Sequence, residues 1–441
     1  MAPRLPHPVC RIPLAAGILL CLLALPPDSP AQGIPDYELP PIHYSTATPS
    51  DRLARLDEAW SANRPRGTEA DLLRWLLAEL DVPVESQVLV FSRTSLQRDL
   101  IHPRQPRAIY FSDDLYIGWV PGGLIEATIT DPNLGMVFYR LEARRPDRPL
   151  QFVRDADCLS CHGGSMTRHW PGLMIRSVFP DFRGEPITSA GSVLVGHDTP
   201  FERRWGGWYV TGQHGESRHL GNLFATPVPG GADVDTEAGA NLSRLDPFFA
   251  TARYPRPDSD IVALMVLEHQ VVMHNRVSEG ALRVRRWSHY QRQLQLELGE
   301  PVSDVPVGTA LRVVQGETER IVDALLYHGE IRLPEGGIRG AGDFERAFAA
   351  SRRPDTQGRS LRDFDLQTRL FRWRCSYLIH SEAFAALPRE LKTSVLRRLD
   401  AILSAESPPE RYAYLADDER RVIRQILLET HPDFAAALRG P

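Results

Sequence analysis

Apolar positions along this chain recur at two spacings, and the change between them divides it. From Gln87 onward they come in short alternating runs rich in β-branched and aromatic residues. Residues 88–91, 108–111, 116–120, 125–130, 136–141 and 151–153 each read as a strand. Pro121-Gly122-Gly123 and Asp131-Pro132-Asn133-Leu134-Gly135 are turns between antiparallel neighbours. Residues 173–179 and 191–195 predict two further strands, and 227–241 reads as a glycine-rich acidic loop.

On both sides of this region the spacing is helical. Leu53, Leu56 and Trp60 predict a helix over 51–63. Thr68 caps a second one over 69–80, with Asp71 as its capping-box acid and Leu72, Trp75, Leu76 and Leu80 on its apolar face. From Asp258 or Ser259 a long helix is predicted to run to about Gln295. More helices follow over 309–328, 343–350, 361–379, 390–404 and 417–428, separated by Pro354, Pro388, Pro408, Pro409 and Pro432. The expected fold class is α+β: helices and then a β-rich portion over 51–250, followed by an all-helical portion over 251–441. There is no internal repeat.

The first 50 residues are different again. Arg4 and Arg11 precede an apolar stretch over 12–25, and Ser29-Pro30-Ala31 supplies small residues for cleavage after Ala31. That is the pattern of an export signal over 1–31. The stretch is short for a bilayer span, which takes roughly 20 residues, although an uncleaved anchor is the alternative reading. Residues 32–50, rich in proline and polar side chains, read as an extended linker. Nothing later is long and apolar enough to span a membrane, so the cleaved chain is not expected to be an integral membrane protein.

Cleavage makes the cysteines informative. Cys10 and Cys21 leave with the signal, and the remaining 158, 161 and 375 are too few for a disulfide scaffold. Cys375, in an apolar stretch, reads as a buried thiol. Cys158-Leu159-Ser160-Cys161-His162 is the C-x-x-C-H pattern. Zinc would need a second Cys/His pair, and a thioredoxin-like redox pair would need a βαβ setting. The sequence offers neither.

In these five residues and the export signal the chain resembles c-type cytochromes. The resemblance implies one covalent haem c held by Cys158 and Cys161, with His162 as iron ligand, attached outside the cytoplasm; in a bacterium that is the periplasm. It does not extend to the small-cytochrome fold, because Arg154-Asp155-Ala156-Asp157 and a β-rich approach replace the usual helix.

The second axial position decides what such a haem does. A methionine or histidine there favours electron transfer, whereas an open position favours chemistry on a small molecule. Met166 follows the motif too closely to fold back over the ring, and Met174 reads either as a core residue or as a ligand. Residues 197–222 concentrate three histidines, two tryptophans, Tyr209, three arginines and several glycines. Arg204, His214 and His219 are the candidate catalytic residues there, for charge stabilisation and proton transfer. The same arginines could instead pair with porphyrin carboxylates. Glu268, His269 and His274 interrupt the apolar run of the long helix and are further candidates.

A net charge of −5 gives no general attraction to nucleic acid. Only Lys392 among the 51 basic residues is lysine, which removes both a catalytic lysine and a lysine-rich docking face. Two functions are therefore expected. One is an oxidoreductase acting on a small-molecule substrate at the haem. The other is an electron-transfer protein whose helical portion binds a redox partner protein.

Overall fold

The structure is a computed structural model and describes residues 33–56, 58–142 and 150–438. The chain divides after Pro35 into two units. Only 33–35 of the first are described, so the expected signal over 1–31 lies outside the described residues.

The second unit is α+β, as its patterning predicts. Helix α1 (Glu69–Glu79) begins at Thr68, whose side chain accepts the Asp71 amide while Asp71 returns a bond to the Thr68 amide. Seven antiparallel strands form the main sheet. They are β1 (Val88–Val90), β2 (Arg107–Phe111), β3 (Leu115–Trp119), β4 (Glu126–Asp131), β5 (Gly135–Glu142), β6 (Gln151–Arg154) and, later in the chain, Trp208–Tyr209. The order is β6-β5-β4-β3-β2-β1 with Trp208–Tyr209 beyond β1. Between β6 and that last strand lie α2 (Leu159–His162), β7 (Arg176–Val178) and β8 (Ser192–Leu194), the last two paired with each other. Trp208–Tyr209 is thus β9, and a small hairpin of β10 (Thr226–Val228) and β11 (Gly231–Asp233) follows within the expected loop.

Strand alternation sends side chains to two cores. Val88, Val90, Phe111, Tyr116, Met136 and Phe138 face the helical portion. Leu89, Ala108, Tyr110, Ile117, Val137 and Tyr139 face α1 and the N-terminal segment. The inner strands β1 and β3 are buried on both faces, whereas β6 at the edge is half-exposed.

Helix α3 (Ile261–Glu297) crosses the first face, with α4 (Gly308–Leu325), α5 (Asp343–Ala349), α6 (Glu382–Ala385), α7 (Arg389–Ser404), α8 (Asp417–Thr430) and α9 (Pro432–Leu438) behind it. Its cap is Asp260, which accepts from the amides of Val262 and Ala263. Asp258 and Ser259, the expected caps, are engaged elsewhere. Asp258 pairs with Arg256, and Ser259 donates to the Tyr209 carbonyl. Among the described residues no helix is long and apolar enough to cross a membrane.

Three expectations need correction. The 32–50 segment is no linker where it is described: Tyr37, Ile42 and Tyr44 are buried in the second core, and the Tyr44 hydroxyl donates to the Met136 carbonyl at 2.7 Å. Among the described residues of 51–63, turns and a short 3-10 segment (Glu58–Ser61) stand in place of a helix, although the Asp51 carboxylate accepts the amides of Leu53 and Ala54. Residues 361–379 are not helical until the 3-10 turn Tyr377–His380. Asp365 binds the amides of Gln367 and Thr368 and turns the chain back, so that Phe364 stacks on Phe371 at 5.2 Å. In both places the aspartate closes a local turn that the chain does not continue as a helix.

Candidate functional site

The motif is presented by a turn tied to the sheet. β6 ends at Arg154, whose guanidinium holds the carbonyls of Tyr44 and Ala47. The Asp155 amide then donates to the Phe138 carbonyl of β5, and its carboxylate caps the 3-10 turn Ala156–Cys158. This turn runs directly into α2, so Cys158, Cys161 and His162 lie on little more than one helical turn. Cys158 is half-buried and Cys161 exposed, both as free thiols. Burial, with Asp155 and Glu126 adding to it, pushes the Cys158 thiol up to about 12. That is opposite to the lowered thiol of a C-x-x-C redox pair.

His162 is fixed on one side only. Its Nδ1 donates to the Gly172 carbonyl at 2.8 Å, and its own carbonyl accepts from the Gly172 amide at 2.9 Å and the Thr167 hydroxyl at 3.1 Å. The ring lies 4.9 Å from that of Phe138. Burial lowers its pKa, the Gly172 carbonyl opposing, so the imidazole is neutral at neutral pH. Nε2 makes no hydrogen bond among the described residues and keeps its lone pair. A ligating histidine commonly has this arrangement, its other nitrogen bound to a backbone carbonyl.

The loop that returns to His162 is equally constrained. Arg168 and His169 both have positive φ, 59° and 64°. Leu173 is clasped by Asn275 of α3, whose amide oxygen accepts from its N–H at 2.9 Å and whose nitrogen donates to its carbonyl at 2.8 Å.

Cys158, Cys161 and His162 line one cavity of about 140 Å³, open to solvent. Small-molecule pockets run to roughly 300–1,000 Å³, so a porphyrin would protrude from it or displace its rim. The sheet supplies one wall through Val90, Arg107, Ile109, Glu126, Thr128, Phe138 and Trp208. Met166, Met174 and Arg176 supply another. Met174 therefore faces the cavity, while its neighbour Ile175 is buried in the core. Arg107 and Glu126 form an ion pair across β3, and what allows it is Gly118, where any β-carbon would collide with the Arg107 guanidinium. The two methionines also line a second cavity of about 280 Å³ against Asn275, Arg276 and Glu279 of α3.

The expected catalytic residues lie elsewhere. Of the 197–222 stretch, only Trp208 lines the motif cavity. Arg204, His214 and His219 are buried at 3%, 1% and 3% exposure. Arg204 donates to Glu268 at 2.9 Å and to the carbonyls of Thr199 and His197, while the Trp205 indole also donates to Glu268. Burial pushes Glu268 up to about 7 despite these partners. His214 spends both nitrogens on backbone, donating to the Ser217 carbonyl and accepting from the Asn241 amide. His219 accepts from the Gly221 amide and packs edge-on to Trp205 at 5.0 Å; burial takes its pKa down to about 3. His269 contacts the Ser376 hydroxyl, and His274 that of Tyr116, each at 2.7 Å and both away from the motif cavity. These groups are brought together with one another and not with Cys158, Cys161 and His162.

Sequence reasoning missed Arg107, Glu126 and Arg176. The signal was present: a charged residue at an inward position of β2 and of β4, with a lone glycine in the strand between them.

Comparison with protein-family models, with curated proteins and with solved structures gives no match.

Proposed function

We propose that this chain is an exported, periplasmic protein with one covalent haem c, and that it is an oxidoreductase acting on a small substrate at the haem. One observation carries the reading: Cys158, Cys161 and His162 open on a single cavity, with His162 Nδ1 already committed to Gly172 and Nε2 free. The donor set fits the group. Two thiols three positions apart can each form a thioether, and a neutral imidazole fixed through Nδ1 is ready to ligate iron. Bound there, the haem would supply one-electron chemistry at its iron.

The protein's own contribution lies in the walls. Phe138, Ile109 and Val90 give apolar contact, whereas Arg107, Arg176 and Glu126 place charge beside it. Charge in a partly closed pocket favours a polar reactant, which a plain electron carrier does not need. The test is to express the full chain in a bacterium that attaches haem c, and to stain a denaturing gel for haem. Haem is expected to stay with the parent chain and to be lost from C158S/C161S. Haem retained by that variant would refute the reading.

A further inference from the structure

We propose that the cavity of about 280 Å³ against α3 binds a small organic anion, its carboxylate on Arg168 and Arg276 and a short apolar body against Met166, Met174 and Val272. The binding site stands on the protein alone. Because this cavity shares Met166 and Met174 with the motif cavity, it also names the substrate class of the reaction proposed above, and in that respect only it rests on that reading.

Two elements tied to each other build the cavity. Residues 165–175 form one wall, and α3 forms another through Val271, Val272, Asn275, Arg276 and Glu279. Asn275 holds both polar backbone atoms of Leu173, and Gly172 is bonded to His162, so the walls are set before a ligand arrives. The volume is at the lower end of small-molecule pockets, which run to roughly 300–1,000 Å³. It suits a body of a few carbons.

The charges select the ligand. Arg168 and Arg276 reach one carboxylate, Glu279, at 3.2 and 3.7 Å, and neither guanidinium makes a hydrogen bond among the described residues. Glu279 is buried and is approached by Arg283 as well, at 3.7 Å, yet its Oε1 accepts no hydrogen bond. Glu317 gives Arg168 and Arg276 no contact, because it pairs with Arg283 and Arg320. Asp198 is the other acid on the wall. Four arginines thus stand against three carboxylates. Burial lowers the pKa of Arg276, and Arg168 and Arg320 add to that. A bound carboxylate supplies the missing counter-charge and accepts from idle donors, for which a guanidinium fork is well shaped. A cationic ligand meets two arginines, and a neutral one leaves them unpaired.

The experiment is calorimetry on the full-length protein, with hexanoate as the probe and acetate and 1-hexanol as comparisons. Hexanoate is expected to bind, and acetate, lacking four methylenes, to bind at least about ten-fold more weakly. Losing one hydrogen bond to a charge should make 1-hexanol, and hexanoate on R276Q, about ten- to hundred-fold weaker. Glu279→Gln removes a carboxylate that repels the probe and should tighten hexanoate by about three-fold or more. A damaged fold cannot give that gain. Hexanoate held no better than acetate, or no worse by R276Q than by the parent, overturns the proposal. So does a loss in R276Q without a gain in E279Q, which would make Arg276 a structural partner of Glu279. The haem stain is read separately. A chain that binds hexanoate but carries no haem sinks the preceding reading alone, and a haem-bearing chain that ignores hexanoate sinks this one.

Discussion

The Nδ1 of His162 stands 2.8 Å from the carbonyl oxygen of Gly172, and that bond decides which imidazole nitrogen stays free. Gly172 is held in turn by its neighbour, because both polar backbone atoms of Leu173 are bound to Asn275. Asn275→Ala removes both bonds while keeping α3 helical. It is expected to cost about 2 kcal/mol, from two part-buried backbone groups left without partners, read as a lower midpoint in denaturant at unchanged slope. Asn275→Asp keeps only the bond to the Leu173 N–H and should fall between the two.

Arg204 and Glu268 form a pair in which neither partner reaches solvent. Removing one member strands a buried charge. Arg204→Ala and Glu268→Ala should each cost about 3–5 kcal/mol. Arg204→Met/Glu268→Leu, which removes both, should cost less than the sum of the two single losses. If Arg204 were catalytic and not structural, a loss of turnover would appear without a loss of stability. The expected result is the reverse: stability falls, and covalent haem content of the folded fraction is unchanged.

Buried histidines make the protein sensitive to acid. His219 and His274 are taken down to about 3 and about 4 by burial. Each binds a proton more weakly folded than unfolded. Their contribution is therefore fully present above about pH 6.5 and is lost as pH falls towards those values. Glu268 has the opposite sign. Raised to about 7, it stabilises below its ordinary value near 4.5 and loses that contribution as pH rises through 7. His219→Asn keeps an acceptor for the Gly221 amide and removes one titrating group. It should flatten the plot of unfolding free energy between pH 6.5 and 4 by up to about 1.4 kcal/mol per pH unit. Glu268→Gln should steepen it over the overlapping window from 4.5 to 7.

Much of this fold is legible in the residue pattern, for a physical reason. A largely buried strand leaves little choice of side chain, and β1 to β5 stand within a residue or two of their apolar runs. The long helix stands out because nearly all of its first half is buried. At 51–63 and 361–379 apolar spacing alone suggests helices, and it does not register the local turns that Asp51 and Asp365 close with their side chains. The candidate site is harder to read. Cys158, Cys161 and His162 are neighbours in sequence and carry their own motif. Arg107 and Glu126 are 19 apart and meet only because β2, β3 and β4 lie side by side. Arg204, Trp205, His214 and His219 form a buried hydrogen-bonded cluster apart from the motif cavity, and that placement is not visible in their spacing along the chain.

Gly118 gives the most selective probe of that meeting. It pairs with Ile109 on one side and Glu126 on the other, and the Arg107 guanidinium passes over its α-carbon. A β-branched residue suits a central strand better than glycine, which packs nothing and costs backbone entropy. Gly118→Val should therefore leave the sheet intact, and its stability should change by no more than about 1 kcal/mol. The added methyls, however, occupy the path of the Arg107 side chain. The guanidinium must leave Glu126, which turns one bound pair into two separate charges at the cavity wall. Covalent haem content is expected to stay at the parent level, while the reduction potential of the bound haem moves away from the parent's. A Gly118→Val protein that folds, carries haem and keeps the parent potential would show that contact between Arg107 and Glu126 does not act on the site.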